Sequence, residues 1–321
     1  FCLVETRVAQ PMFQLSLFKV RAFAVGNLAA LLTAIARGGL QFTLIIWLQG
    51  IWLPLHGYDF EDTPLWAGIF MLPLTLGFLI AGPVSGHLSD RYGARLFSTT
   101  GLVLVAGSFL GLLTLPVDFT YGLFAALLLL NGLGQGMFSA PNTSSIMGSV
   151  PAEYRGVASG MRSTFQNSGT ALSIGVFFSL MVSGLATSLP SALGSGLAAH
   201  GVPAATVHEV ASLPPVSTLF ATFLGHNPIS QLLGSSGTLE HLSAAQREVL
   251  TGHTFFPALV SGPFHQGLTV VFTVAAGMAL ISALASALRG PREPADQVPP
   301  AAQDTRTVRK DTGRWPTAPS S

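Results

Sequence analysis

The sequence predicts an all-α integral membrane protein with six transmembrane helices, and three observations carry that prediction. Only 9% of the 321 residues are charged, against about 25% in an ordinary soluble domain, too little to clothe a water-facing surface. Mean hydropathy is +0.56. The apolar residues gather into six stretches, each long enough to cross a hydrocarbon core, which takes about 20 residues of helix. Backbone amides in lipid must be satisfied within the segment or in a closed barrel, so these stretches are helices rather than isolated strands.

Taken in order, residues 1–21 form a basic lead-in without the basic, apolar, small-residue order of a signal peptide. The first residue is Phe1, so the chain is expected to be a fragment entered mid-protein, with 1–21 as a cytoplasmic linker. Five spans are expected within 22–185: Ala22 to Leu53, Leu65 to Leu88, Leu96 to Leu115, Tyr121 to Ala140 and Gly156 to Leu185. Pro73 and Pro83 predict a kink or break in the second. Residues 186–263 are too polar, and too often interrupted by glycine and proline, to cross; they predict an external insertion, either a cap over the outer mouth or a decorated loop. Within it, Ser243 followed three residues on by Gln246 predicts a capping box and a short helix through Leu250. The sixth span lies in 264–289, from Gly267, and 290–321 read as a disordered cytoplasmic tail rich in proline, alanine and mixed charge.

Helix packing is expected at small residues four apart: Gly82 and Gly86, Gly107 and Gly111, Gly132 and Gly136, Gly156 and Gly160. Lipid supplies little hydrophobic push between helices, so close backbone approach replaces it. An even number of spans puts both ends on one side. That side carries Arg7, Lys19, Arg21, Arg91, Arg95, Arg155, Arg162, Arg289 and Arg292 before the tail, and the other only Arg247, a nine-to-one split that predicts cytoplasmic termini in the cell membrane. A net charge of +1 gives no reason to expect nucleic acid. The single cysteine excludes an internal disulfide framework, and no cysteine or histidine cluster suggests a metal; no cofactor is expected.

The most specific local pattern is Gly86-His87-Leu88-Ser89-Asp90-Arg91-Tyr92-Gly93-Ala94-Arg95, between the second and third spans. Its glycines permit a tight reversal, while Asp90, Arg91 and Arg95 can pair with facing helix ends, so the turn is a candidate conformational latch. By charge alone, the two arginines also simply obey the positive-inside rule.

The spacing G-x-x-x-D-R-x-G-x-R resembles the cytoplasmic signature loop of the major facilitator superfamily. Asn131-Gly-Leu-Gly-Gln-Gly-Met, Pro141-Asn-Thr and Val150-Pro-Ala-Glu-Tyr-Arg-Gly-Val-Ala-Ser-Gly160 resemble the second half of its fourteen-helix drug:proton antiporter branch, as do Pro11 to Arg21 and Trp47-Leu-Gln-Gly. The likeness covers about residues 5 to 185 and the final span. It implies that the six helices form one lobe of a two-lobed transporter. The amino-terminal lobe, where this branch places its proton-coupling acid, is missing from the sequence. Implied partners are that lobe, the lipid bilayer, protons and a small amphipathic substrate, and the latch extends to Glu153 and Arg155.

Independently of the likeness, no aspartate or glutamate lies inside the six expected spans, so no carboxylate proton carrier of the usual kind is encoded there. Arg37 is the one charge expected near the bilayer centre, roughly 22 Å from Ala22 along a helix. At a cost of about 2.5 to 3.5 kcal/mol it should face a wet cavity or a partner. Two readings stand side by side: a substrate path, or carbonyls freed near Gly38 and Gly39. Gln41 is expected on the same face. Gln49, Asn131, Gln135, Gln166 and Asn167 complete a set of buried amides, either lining a path for amphipathic molecules or bonding helix to helix. Two other classes of function remain open. One is a stand-alone six-helix sensor or scaffold; the other is an intramembrane serine protease built on Ser159 and His265, for which the nucleophile and base stand at opposite membrane faces. The glycines of Gly132-Leu-Gly-Gln-Gly136 lie within an apolar span without a following lysine, which excludes a nucleotide loop.

Overall fold

The computed structural model describes residues 14–225, 227–235 and 237–288. The expected start of the linker, with Arg7, and the tail 290–321 lie outside the described residues. Among the described residues six helices are long and apolar enough to cross a membrane: α1 (Arg21–Leu55), α2 (Phe60–Tyr92), α3 (Ala94–Leu113), α4 (Tyr121–Gly148), α5 (Ala152–Ala186) and, after the insertion, α11 (Phe255–Ala287). The chain is therefore an all-α, multi-pass membrane protein.

The helices run on where the sequence suggests a stop. The helix α4 does not end before Pro141 but continues to Gly148 with the proline inside it. A proline costs a membrane helix one backbone bond, and neighbouring helices hold such a segment in place; here Asn142 Nδ2 donates to the carbonyl of Gly26 on α1 at 3.2 Å. Likewise α11 begins at Phe255, twelve residues before Gly267, and carries Pro263 in its interior. Pro73 does act as a break: α2 is interrupted at Met71, and its long helical piece restarts at Leu72 with the proline in the first turn. Pro83 leaves that piece continuous.

Helix pairing has an internal symmetry. Helix α2 lies along α4 and α5 along α1; α3 lies beside α4 and α11 beside α1; α3 meets α11, and α1 meets α4. Exchanging α1, α2, α3 for α4, α5, α11 maps this set of pairs onto itself, and exchanged helices run in opposite directions. That is an inverted-topology repeat of three helices. Its two outermost members, α2 and α5, are the least enclosed: 17% and 33% of their most apolar windows are buried, against 44 to 56% in the other four.

The closest seam joins α2 to α4. A Cβ added to Gly132 would collide with the carbonyl oxygen of Leu74, and one added to Gly77 would stand 2.5 Å from that of Leu129. Gly136 belongs to this seam, whereas Gly82, Gly107, Gly156 and Gly160 face open space, Gly86 makes only ordinary contact with Ala140, and Gly111 meets only the Leu127 side chain. Glycine spacing alone does not say which face meets a neighbour. At the end of the bundle that bears the insertion, termed the outer end, Trp47 and Trp52 on α1 donate their indole N–H groups to the carbonyls of Val117 and Phe119, tying α1 to the α3–α4 turn within an aromatic cluster. At the opposite end, which carries Asp90 and Arg155 and is termed the inner end, a 3-10 turn at Leu15–Lys19 is pinned by buried Leu17 against Ile146, Val150 and Met161.

The insertion is folded. It holds α6 (Leu189–Ala199), α7 (Ala204–Ala211), α8 (Pro215–Leu224), α9 (Pro228–Ser235) and α10 (Ala244–Thr251). Leu193, Leu197, Val210, Ile229, Leu233 and Leu250 form a core of their own, shared with Phe256 and Val260 of α11. The Ser243 box forms, with Gln246 N–H donating to Ser243 Oγ and Ser243 N–H to Gln246 Oε1. Helix α8 rests on the outer end of the bundle: Phe220 lies 5.6 Å from Phe178 of α5, and Thr222 occupies the space left by Gly50.

Candidate functional site

A pocket opens among the membrane helices, and helical spacing explains its lining. Helix α1 contributes Ala30, Thr33, Ala34 and Arg37; α4 contributes Gln135, Phe138, Ser139 and Asn142; α5 adds Arg162 and Gln166, and α2 adds Phe78. Residues at i, i+3 or i+4 and i+7 share one helix face, so α1 and α4, counterparts in the repeat, each turn one continuous stripe into the same space. Rise along the helices places Arg37, Phe78, Gln135 and Gln166 at about 16 to 24 Å from the inner ends of their helices, and Asn142 and Arg162 at about 10 Å. The pocket thus runs from mid-membrane toward the end that carries Asp90 and Arg155.

The expected path residues divide. Arg37, Gln135 and Gln166 meet in this pocket. Asn131 lies one turn above Gln135, fully buried, donating through Nδ2 to Ser108 Oγ of α3 at 2.7 Å; Gln135 Nε2 reaches Asn131 Oδ1 at 3.5 Å. The pair therefore links a helix-to-helix bond to the pocket wall. Gln41 and Asn167 are exposed, not buried, and stand outside the lining. Gln49 is half-buried in a π-helical turn, Leu48–Trp52, near the outer end of α1; that turn, with its extra residue, rotates the chain beyond it relative to a regular helix.

Arg37 stands over the ring of Phe78, its guanidinium carbon 5.3 Å from the centroid, a cation–π contact worth about 0.5 to 2 kcal/mol. Gly38 and Gly39 lie in unbroken helix; their missing side chains are replaced by Ser173 and Phe177 of α5. Those glycines therefore serve close helix packing.

Arg162, Ser139 and Asn142 are lining residues that the sequence reading did not single out. Arg162 is not one more surface cation of the inner end: it is half-buried, and its Nε is sealed from solvent with no hydrogen-bond partner. The signals were present in the spacing, since Arg162 precedes Gln166 by four residues and Ser139 and Asn142 continue the stripe of Gln135.

At the inner end, Asp90, Arg91, Arg95, Glu153 and Arg155 are all exposed and make no ion pair among the described residues. Gly93 joins α2 to α3 at φ +92°, a left-handed conformation that favours glycine, and Gly86 packs at Ala140 one turn before Asp90. The turn after α2 and the start of α5 carry these charges beside the bundle's least enclosed helices. Ser159 and His265 are not brought together: Ser159 lies about 6 Å from the start of α5's long helix, whereas His265 lies about 33 Å up α11 from the same end of the bundle. A serine nucleophile needs its base within about 3 Å.

Sequence comparison adds an independent line. Residues 5–174 match the Major Facilitator Superfamily profile. The chain is 27% identical over 304 residues to the Tetracenomycin C resistance and export protein of Streptomyces glaucescens, covering 93% of this chain and 50% of that protein. It is 30% identical over 181 residues to the Riboflavin transporter RibZ of Clostridioides difficile, covering 56% and 38%. Over 193 residues it is 31% identical to the Multidrug resistance protein Stp of Mycobacterium tuberculosis, covering 59% and 34%. The matched region spans half or less of the length of each of these relatives.

Proposed function

Because the chain belongs to the Major Facilitator Superfamily, we propose that it is one six-helix lobe of a secondary transporter of the fourteen-helix branch, exporting small amphipathic organic molecules by alternating access and proton antiport. The observation that carries this reading is the pocket: four helices of an inverted repeat converge two arginines and several amides on a mid-membrane space, where transporters of this architecture bind their cargo. The names of the relatives, two of them resistance or export proteins, support export as the direction. The open flank of α2 and α5, with Leu72, Leu76, Leu79 and Ile80 exposed on α2 and Leu172 and Ile174 on α5, suits a second helical body packed against this one.

On this reading Arg37, Gln135 and Gln166 contact the substrate, with Asn131 holding Gln135 in place. Gln41, Gln49 and Asn167 lie on surfaces that the second body or the outer vestibule would cover. Gly86, Asp90, Arg91, Gly93, Arg95, Glu153 and Arg155 form the latch, whose charges pair across the two bodies in one of the two access states and so weight the equilibrium. Lys19, Arg21, Arg91, Arg95 and Arg155 mark the cytoplasmic face, leaving Arg247 and the folded insertion outside. The acidic residues within the described helices lie near their ends, so the proton-carrying carboxylate belongs to the other lobe. The test is accumulation of radiolabelled 1-naphthoate, 1-naphthamide and 1-naphthylmethylammonium in cells lacking their own efflux pumps. Expression of the transporter containing this chain lowers accumulation of at least one probe, and a protonophore restores it. Accumulation equal to the empty-vector control for all three would end the transport reading.

A further inference from the structure

We infer that the mid-membrane pocket takes the charged group of an amphipathic organic anion, its carboxylate or equivalent held by Arg162 while its apolar body lies outside the pocket over half-buried Phe78; this rests on the transport reading and narrows its substrate class. Two guanidinium groups, Arg37 and Arg162, line one pocket. Guanidinium groups carry a positive charge in proteins. Among the described residues no acidic side chain lines the space. The carboxylates among the described residues sit near helix ends, in turns or in the insertion: Asp59, Glu61, Asp62, Asp90, Asp118, Glu153, Glu209, Glu240 and Glu248.

The two arginines are not equally provided for. Arg37 has the π face of Phe78. Arg162 has no such aromatic face among the described residues; its Nε–H is closed off from the pocket and from solvent, so the rest of its guanidinium is what lines the space. The neighbouring groups, Gln135, Ser139, Asn142 and Gln166, are neutral dipoles that orient a ligand without neutralising two positive charges. In a low-dielectric cleft an entering cation meets their combined repulsion, a neutral molecule leaves it unrelieved, and a monoanion offsets one of the two charges. The space holds about 30 Å³, and Ala30, Ala34 and Phe138 of its apolar walls are buried, so it has room for the charged group alone and the hydrophobic part of the same molecule lies outside it.

The test is equilibrium dialysis of the detergent-purified 321-residue chain against the three naphthalene probes, matched in size and differing in charge. The unsubstituted chain binds 1-naphthoate at least about tenfold more tightly than 1-naphthamide, as expected for a charge-assisted bond, and binds 1-naphthylmethylammonium most weakly. Arg162→Gln brings naphthoate to within about threefold of naphthamide, Arg162→Lys keeps part of the preference, and Arg247→Gln at the outer end leaves it unchanged. Equal or tighter binding of the amide or the cation, or an intact preference in Arg162→Gln, overturns the inference. If Arg162→Gln does not survive purification, competition on the unsubstituted chain decides: benzoate displaces bound naphthoate and benzylammonium does not, and equal displacement by both overturns it. Charge-selective binding without efflux in cells removes the transport reading alone; efflux without charge-selective binding removes this inference alone.

Discussion

Replacing Gly132 by alanine is expected to open the α2–α4 seam. The added Cβ would overlap the Leu74 carbonyl oxygen and lie 2.9 Å from the Leu74 carbonyl carbon and 3.0 Å from the Phe78 nitrogen. All three are backbone atoms, so no rotamer change relieves them, and the helices must part by about 1 Å, which forfeits a quarter to a half of each well along the contact. Overpacking of this kind costs about 3 kcal/mol at its upper end, offset by roughly 1 kcal/mol from alanine's better helix propensity. Gly160→Ala is the matched control, because nothing lies within 4 Å of its added Cβ and only the propensity gain applies. The two variants should therefore differ by about 3 kcal/mol, on the order of a hundredfold in the unfolding equilibrium. Unfolding of the purified chain in mixed micelles with rising dodecyl sulfate, followed by circular dichroism, reads this difference. Equal midpoints for Gly132→Ala and Gly160→Ala would refute the close approach of α2 and α4.

Three further outcomes are expected. Ser108→Ala removes the acceptor of the Asn131 bond and should destabilise the bundle by about 0.6 to 1.7 kcal/mol, read by the same unfolding assay; no change would remove that bond from the packing. Leu197→Ala in the core of the insertion, where the side chain is fully buried, should cost about 2 to 5 kcal/mol. It should speed hydrogen exchange across 189–251 while α2 to α4 stay protected, whereas uniform loss of protection would mean the insertion has no core of its own. Asp90→Ala should slow efflux by the full transporter several-fold at unchanged membrane abundance, because it removes one partner of the latch; unaltered efflux would take Asp90 out of that role.

The six helices were legible because length and apolarity in lipid leave a chain few alternatives. Their ends were less so. Pro141 and Pro263 read as stops, but proline breaks a helix only when nothing else holds it, and here Asn142 and the neighbouring helices do. The insertion looked irregular because its helices are 8 to 11 residues long and stabilised by a shared core rather than by their own periodicity. At the pocket, Arg37 stood out as a charge deep in an apolar span. Arg162 did not, because a cation about 10 Å from the helix end expected in the cytoplasm also satisfies the positive-inside rule; only the packing of α5 against α1 turns it inward. The amides show the same limit. Gln135 and Gln166 face the pocket and Asn167 does not, a choice of helix face set by pairings that hydropathy cannot rank.

The account depends most on six helices crossing a bilayer with the Asp90 turn inside the cell and the insertion outside. Cysteine labelling from the external medium tests this directly. Cysteine is placed at exposed Ser195 of the insertion or exposed Tyr92 of the turn, with Cys2 replaced by serine and a membrane-impermeant maleimide as the reagent. Ser195→Cys should label in intact cells and Tyr92→Cys only after permeabilisation. Labelling of Tyr92→Cys in intact cells, or protection of Ser195→Cys there, would contradict it.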